Sequence, residues 1–319
     1  MGKRTIIIIV SAVAVVVASV FVYKKVRKIL TYADIKAGTA NPNEIPAMTI
    51  KSFKLEETDG PNSRWTLTAQ KADMFKNSGR ILFDKVETLV NADALGKTNY
   101  KITSDKGTYF INSDKVVLDT NVVVQTSQGY KVLTDSIEYF AKTKRIKSSS
   151  PVTIQGKSPS GQMLDINGEG ISGDLGTGDF KITKKINTKF GPKLEISSGT
   201  SEFNTNKNMV VFEKDLLAKK DGLDITGDKL IARYSEKGEL GDIEVMGDVR
   251  IKAEKRYALC NHALIKAGSS EVVLTGKPEF HSGRDVIVGK KIVFFADSDE
   301  VYVEKVKAEV TEDSMRKKK

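Results

Sequence analysis

The sequence holds one cysteine, two histidines and seven prolines. With Cys260 alone, no disulfide can close within the chain, so a disulfide scaffold and a dithiol redox pair are both excluded. Cys260, His262 and His281 do not make up a four-ligand zinc set. No P-loop, dinucleotide fingerprint or nucleophile elbow occurs. Beyond residue 50, no long segment carries an apolar stripe of helical period, which excludes a helical bundle or a doubly wound sheet. A basic surface is missing too, although the formal net charge is +10. Lys3, Arg4, Lys24, Lys25, Arg27, Lys28 and Arg316-Lys317-Lys318-Lys319 carry that excess, and without those ten, 41 basic residues face 41 acidic ones. A nucleic-acid partner needs its cations on a folded surface that tracks phosphates, so no nucleic acid is expected.

What is present begins with an apolar run. Thr5 to Tyr23 reads TIIIIVSAVAVVVASVFVY, without a charge. As a helix it covers roughly 28 Å, a bilayer's hydrocarbon thickness. Apolar sequence runs on past Val17-Ala18-Ser19 with no A-x-A site, so an uncleaved transmembrane helix is expected over a signal peptide. No cysteine follows it that a lipoprotein anchor would use. Two basic residues precede the span and four follow closely, which by charge alone favours a cytoplasmic body. Long domains cross regardless of that bias, so charge leaves the side open. Residues 24–49, with Gly38, Pro42 and Pro46, read as a tether.

After the tether, apolar and polar residues alternate with period two between Gly, Asn, Asp and Lys-Ser punctuation. One unit recurs with a period of about thirty residues, at 65–90, 101–124, 131–154, 164–190, 194–219, 223–251, 257–280 and 285–310. Each copy starts extended, reaches a polar turn after an apolar or aromatic residue, and ends in a corner such as VVLDTNVVV (116–124), IEVMGDVRI (243–251) or VVLTGKPEF (272–280). We read the corner as turning the chain from one sheet to the other. Gly168, Gly170 and Gly173, with no helix after them, read as turns.

Residues two apart share a strand face, and the corners keep apolar pairs at that spacing. The pairs before the corner are Ile81/Phe83, Val116/Leu118, Phe180/Ile182, Val210/Phe212, Ile243/Val245, Val272/Leu274 and Val301/Val303. After it come Val122/Val124, Val152/Ile154 and Val249/Ile251. Met74, Tyr109, Tyr139, Phe203 and Phe294 recur at another position, as core or as the lining of an acyl-chain path; periodicity does not separate these. A single hairpin cannot bury such a face, so units must stack or two sheets must close on each other. The expected fold is all-β: one or two elongated β-jellyrolls of repeated short antiparallel strands in two facing sheets, with exposed strand edges at both ends. Cys260 and His262, two apart, invite a metal or thiol–imidazole reading. Aligning ALCNHALI with DITGDKLI and KITSDKGT sets Cys260 at the position of Thr226 and Thr103, and His262 at that of Asp228 and Asp105, so both read as fillers of variable positions. Asp105, Asp135 and Asp228 read as solvated turn residues. No catalytic residue, metal ligand or cofactor is expected.

The single span, the tether and GRILFDKVETLV … ITSDKGTYFINSDKVVLDTNVVVQTSQGYKVLTDSIEYFAKTKRIKSSSPVTI resemble the LptC family, the anchored periplasmic component of lipopolysaccharide export. The stretch VVFEKDLLAKKDGLDITGDKLIARYSEKGELGDIEVMGDVRI … VVLTGKPEF resembles the LptA/OstA-like repeat of the same pathway. The corner usual in that family is closer to L-T-G-N-V, so Asp119-Thr120-Asn121 and Gly247-Asp248 are variants of it. The resemblance implies residues 1–4 cytoplasmic, a helix at 5–23, a tether at 24–49, an LptC-like jellyroll at 50–190, an LptA/OstA-like jellyroll at 191–313 and a basic tail at 314–319. It implies an inner-membrane, single-pass protein with its body in the periplasm and a non-enzymatic groove for lipid A acyl chains. The groove candidates are Ile81, Phe83, Tyr109, Val116, Leu118, Val122, Val124, Tyr139, Val152, Ile154, Phe203, Val210, Phe212, Ile243, Val245, Val272, Leu274 and Phe294. The implied partners are lipopolysaccharide, an ABC transporter complex of the LptB, LptF and LptG type, and an LptA-type or outer-membrane LptD-type jellyroll at the C-terminal edge.

Overall fold

The computed structural model describes residues 45–309 apart from 60–61, 76, 91–98, 114, 128, 141–142, 144, 158–160, 175–178, 192–193, 205–206, 236–238 and 306. The apolar run at 5–23, nearly all of the tether and the basic tail lie outside the described residues. Among those described, every regular element is a strand, as the period-two pattern requires, and no helix is long and apolar enough to cross a membrane.

Two compact units are formed, one running up to Lys157 and including Asn167–Ile182, the other made of Ser158–Ile166 and the chain from Thr183 onward. In the first unit, β1 (Met48–Asp59), β2 (Asn62–Phe75), β3 (Arg80–Val90), β4 (Tyr100–Phe110), β5 (Lys115–Thr126), β6 (Lys131–Phe140) and β7 (Arg145–Lys157) pair antiparallel, each with the next. Strands β8 (Met163–Asp174) and β9 (Asp179–Phe190) contribute residues to both units. In the second unit, β10 (Leu194–Ser198) and β11 (Thr200–Asn204) lie along the two halves of β12 (Met209–Lys220). Then β13 (Leu223–Tyr234), β14 (Leu240–Ala253) and β15 (Arg256–Ile265) follow in antiparallel order. Strands β16 (Glu271–Thr275) and β17 (Glu279–Ser282) divide β15 between them. They are continued by β18 (Asp285–Val288) on β17, β19 (Lys291–Phe295) on β16, β20 (Val301–Glu304) on β19 and β21 (Lys307–Glu309) on β18.

The corners are bends inside long strands rather than hairpin turns between short ones. Strand β5 runs unbroken through Asp119-Thr120-Asn121 and pairs with β4 and β6 on both sides of the bend. Its register shifts there, between Asp119 and Val122, and the same shift occurs at Glu213/Leu216 and Met246/Val249. The cause is backbone in the left-handed region: φ is 66° and 56° at Thr120 and Asn121, 66° and 50° at Lys214 and Asp215, 76° and 39° at Gly247 and Asp248, and 74° and 61° at Gly276 and Lys277. Two successive residues of positive φ turn the strand while leaving it hydrogen-bonded on each side. Gly, Asn and Asp adopt this conformation readily, whereas β-branched Thr120 does so under strain.

Inward-facing positions are buried on both sides of each bend, so each unit has one apolar interior flanked by two faces. In the second unit, one flank holds Met209–Glu213, Lys229–Tyr234, Leu240–Met246, His262–Ile265, β16, β19 and β20. The other holds β10, Leu216–Lys220, Leu223–Gly227, Val249–Ala253, Arg256–Cys260, β17, β18 and β21. The rings of Phe190 and Tyr234 meet edge to face at 5.6 Å, and Phe190 pairs with Leu194 on the second flank while Tyr234 ends the first. The free ends of the two flanks therefore approach each other opposite the bends.

Gly168 and Gly173 differ from expectation, since they lie within β8, whereas Gly170 in the same strand has the positive φ of a bend, 71°. The reason at Gly173 is space: a Cβ there would enter the Phe180 ring. Gly247 is constrained twice, by its φ of 76° and by the Asp228 carboxyl that a Cβ would strike. Replacing Gly247 with Val should cost roughly 1–3 kcal/mol from backbone strain alone, and more through the collision. Urea unfolding of Gly247→Val and of Gly247→Val/Asp228→Ala should show the second change recovering only part of the loss.

Candidate functional site

The interior takes its chemistry from what it lacks. Among the described residues, its buried polar side chains are only hydroxyls: Thr88, Ser104, Thr134, Ser148, Thr188, Ser198, Thr200 and Ser201. No carboxylate, lysine or arginine joins them, as expected where an unpaired charge would lose its hydration. Burial raises the phenol of Tyr139 to about 12 and pushes those of Tyr130 and Tyr234 upward, so the interior stays uncharged around neutral pH.

All the groove candidates lie on this inward face, though not equally deep. In the first unit, Ile81 and Tyr109 are buried with Ala72, while Phe83 and Val116 are half-buried against them together with Ile50, Phe53 and Met74. The Phe53 and Phe83 rings sit 5.6 Å apart. Leu118, Val122, Val124, Tyr139, Val152 and Ile154 are buried. In the second unit, Val210, Phe212, Ile243, Val245, Val272, Leu274 and Phe294 are buried, and Phe203 is half-buried opposite Val210. Within the first unit the apolar wall is thus more open toward β1 and closed at β6 and β7, where Tyr139 and Ile146 are 1% and 2% exposed; within the second unit Val272 and Leu274 are 0% exposed.

The wall also contains residues that the paired-apolar pattern misses. In β5, β12 and β14 the inward positions flanking the bend are four apart: Leu118/Val122, Phe212/Leu216 and Val245/Val249. In β4, β6 and β15 they are three apart: Ser104/Gly107, Thr134/Ile137 and Cys260/Ala263. The second spacing flips the parity of the alternation, which hides Ile102, Val132, Ile137 and Ala258 from a period-two count. Small or hydroxyl residues sit at the inside of the bend. The Ser104 hydroxyl donates to the Lys106 carbonyl at 3.0 Å, Thr134 to Ser136 at 3.4 Å and Ser198 to Thr200 at 3.1 Å, while Ser148 accepts from the Ser150 amide at 3.1 Å. Each hydroxyl reaches the backbone two residues on and satisfies a group that the bend frees.

This frame corrects the alignment of Cys260. It is an inward residue equivalent to Ser104 and Thr134, not to Thr103 and Thr226, and Asn261 rather than His262 occupies the place of Asp105 and Asp228. The Asn261 amide donates to the Gly276 carbonyl at 3.0 Å across the neighbouring corner. Asp105 does a similar task through its side chain, binding Lys85 and Asn121 at 2.6 Å each. Cys260 and His262 lie on opposite faces and form no pair; burial raises the thiol to about 11. On the outer face, the His262 ring lies between Thr275 Oγ1 (Nδ1, 3.1 Å) and Glu244 Oε1 (Nε2, 2.8 Å), and Arg233 donates to Glu244 at 3.0 Å. Among the described residues no cluster of three or more ligating side chains could hold a metal ion.

With this geometry in place, comparison with known proteins assigns the class: the family described as "Lipopolysaccharide-assembly, LptC-related" matches residues 11–191. The chain belongs to that family, and residues 195–300 match the LptA/LptD N-terminal lipopolysaccharide transport domain. It is thus an LptC-related protein with a C-terminal LptA-like region, and both regions place it in lipopolysaccharide transport. No curated protein matches it. Among solved structures, it is similar to LptH of Pseudomonas aeruginosa, the LptA-homologous periplasmic component of the lipopolysaccharide transport device. That match has 12% identity and a TM-score of 0.34, and covers 37% of this chain and 94% of LptH.

The outer-face carboxylates make stability depend on acid. Hydrogen bonds from His262 and then Arg233 hold Glu244 below its ordinary value, and the Ala267 amide, helped by Lys266, does the same for Asp242. A depressed carboxyl stabilises the fold fully above its unfolded pKa, and that contribution is lost as pH falls through the lower folded value. The melting temperature should therefore drop as pH falls below 4.5, the ordinary glutamate value. Glu244→Gln should lower the melting temperature at neutral pH and flatten this acid-side decline; a decline as steep as that of the unaltered protein would refute the assignment.

Proposed function

We propose that the chain is a membrane-anchored periplasmic component of lipopolysaccharide export. It receives lipopolysaccharide from an inner-membrane ABC transporter of the LptB, LptF and LptG type and passes it toward the outer membrane. Residues 5–23 form the single anchor, and the bulk of the chain lies in the periplasm. The observation that carries the reading is the interior described above, apolar on both flanks of every bend and free of charge, in a chain built of LptC- and LptA-type regions. Acyl chains enter such an interior by the hydrophobic effect, at roughly 0.8 kcal/mol per buried methylene, and no catalytic residue is required. In each unit the groove is lined by that unit's inward wall, from Ile81 to Ile154 in the first and from Phe203 to Phe294 in the second.

An LptA-type or LptD-type jellyroll docks at the C-terminal edge. Among the described residues, β20 pairs only with β19 and β21 only with β18, which leaves a row of backbone donors and acceptors for strand addition. Tyr302 is 59% exposed there.

A second reading, a structural scaffold of the envelope with a permanently filled core, is favoured by the closure of the interior around Val272 and Leu274. A photo-crosslinking residue at Val116, Tyr139 or Val210 separates the two. Lipopolysaccharide adducts in cells are expected at these positions, and uniform absence from all three in folded protein would leave the scaffold. Val303→Pro removes a backbone donor at the edge and should abolish co-purification of the docking partner. Normal co-purification would refute docking at that strand.

A further inference from the structure

The second unit's interior is closed, and its two flanks meet at their free ends. A cavity of about 680 Å³ lies where the two flanks meet, within the size range that holds small ligands, roughly 300–1,000 Å³. Phe190, Leu194, Leu240 and Ala296 give it an apolar floor. Phe190 and Leu194 are also buried wall residues, so the cavity and the interior share these two side chains. Its rim is polar, with the Lys220–Asp221 ion pair on one flank and the Ser270–Asp297 hydrogen bond on the other.

Two contacts between the flanks involve residues of the cavity lining, Phe190 and Ala296. One is the Phe190–Tyr234 ring pair. In the other, Arg256 reaches from the start of β15 to the chain just past the end of β19. Its guanidinium donates to the Ser298 carbonyl at 2.5 Å and the Ala296 carbonyl at 3.4 Å, and lies 3.4 Å from Asp299. These residues are not sheet neighbours, because β15 pairs with β14, β16 and β17 while β19 pairs with β16 and β20. The Arg256 side chain is 18% exposed and Asp299 fully so, which leaves the carbonyls as the partners that matter. A planar fork with several donors suits two carbonyls at once; a lysine would not.

We propose that this cavity is a side opening into the second unit, through which the acyl chains of an amphipathic lipid pass, and that Arg256 is the residue that holds it shut. The inference rests on reading the interior as a lipid path, and adds where a chain gets in and what must move. Arg256 is a positioning residue, since it binds the opposite flank and not the lipid. The occupant is an acyl chain because the floor is apolar and shares Phe190 and Leu194 with the charge-free wall. One lysine against two aspartates at the rim favours a hydroxylated head over a phosphate.

The test uses the full chain with Cys260→Ser, a change to the residue type found at the equivalent Ser104, so that introduced cysteines are unique. Asp221→Cys and Ser269→Cys place one thiol on each flank of the opening, to be joined by a bis-maleimide with a reducible central disulfide. The probe is 11-dansylaminoundecanoic acid, its association followed by stopped-flow fluorescence. Linking the flanks should slow association by about tenfold or more, as when binding waits on a conformational change, and reduction of the linker should restore it in the same molecules. Arg256→Ala and Arg256→Lys should both speed association several-fold with the flanks unlinked. Association at the same rate in linked and unlinked protein overturns the side opening while leaving the lipid path intact. If the unlinked protein takes up no probe, the lipid path fails and the opening with it.

Discussion

The bend is the constraint on which the rest of the structure depends. A flat antiparallel sheet with one apolar face must find a second sheet to cover it. Here each strand covers its own neighbours' far halves, because left-handed residues in its middle fold it over while the ladder continues on both sides. The conformation is costly for Thr120, Lys85, Lys185 and Lys214, all non-glycine residues at φ between 51° and 66°. Cross-strand contacts on the outer side offset part of that cost: Lys85 with Asp105, Asn121 with Asp105, Lys106 with Asp84 at 2.5 Å, and Lys229 with Glu213 at 3.0 Å. These pairs are solvent-exposed and individually weak. Their value is registry, since each ties one bend to the bend beside it.

Folding every strand over itself segregates chemistry by position. The inside of a bend favours small or hydroxyl side chains, because it is crowded; a Cβ at Gly227 would lie 2.8 Å from the Val245 side chain and 3.3 Å from the Gly247 carbonyl. The outside collects charge. Between bend and free ends lies an apolar wall, and among the described residues of the second unit the free ends of the flanks meet through side-chain contacts rather than a hydrogen-bonded ladder. Such an interior can be sealed and still accessible. Backbone ladders resist opening cooperatively, whereas an arginine fork and one aromatic pair can part without unpairing any strand.

The all-β class, the repeat and the inward pairs were legible in the sequence, because Val210/Phe212 or Val272/Leu274 announce a buried face wherever the period is two. The period breaks at Ser104/Gly107, Thr134/Ile137 and Cys260/Ala263, where three residues span the bend instead of four. One strand passes the bend with a residue fewer than its neighbour, which the ladder records as a register shift at Asp119/Val122, Glu213/Leu216 and Met246/Val249. A single-sequence pattern contains no term for that difference, and so Cys260 was set one position out of frame. Gly173 of β8 escapes a sequence pattern for a related reason: it answers to the Phe180 ring, a contact set by packing and not by local turn chemistry.

Contacts between the flanks were the least legible. Arg256 and the carbonyls it binds are 40 and 42 residues apart, and carbonyls belong to every residue, so no side-chain pattern marks the acceptors. In the sequence, Arg256 looks like one more charge in a basic turn beside Lys252 and Lys255. Only the bend brings the start of β15 over the end of β19, and that shared dependence argues for treating the two together. Without the bend the flanks would have no opening to hold shut. Without a breakable clasp opposite it, the bend would enclose an apolar volume that a lipid could reach only through the strand edges. A wall free of charge, folded at one side and clasped at the other, is one solution to keeping an apolar interior sealed in water and still able to open.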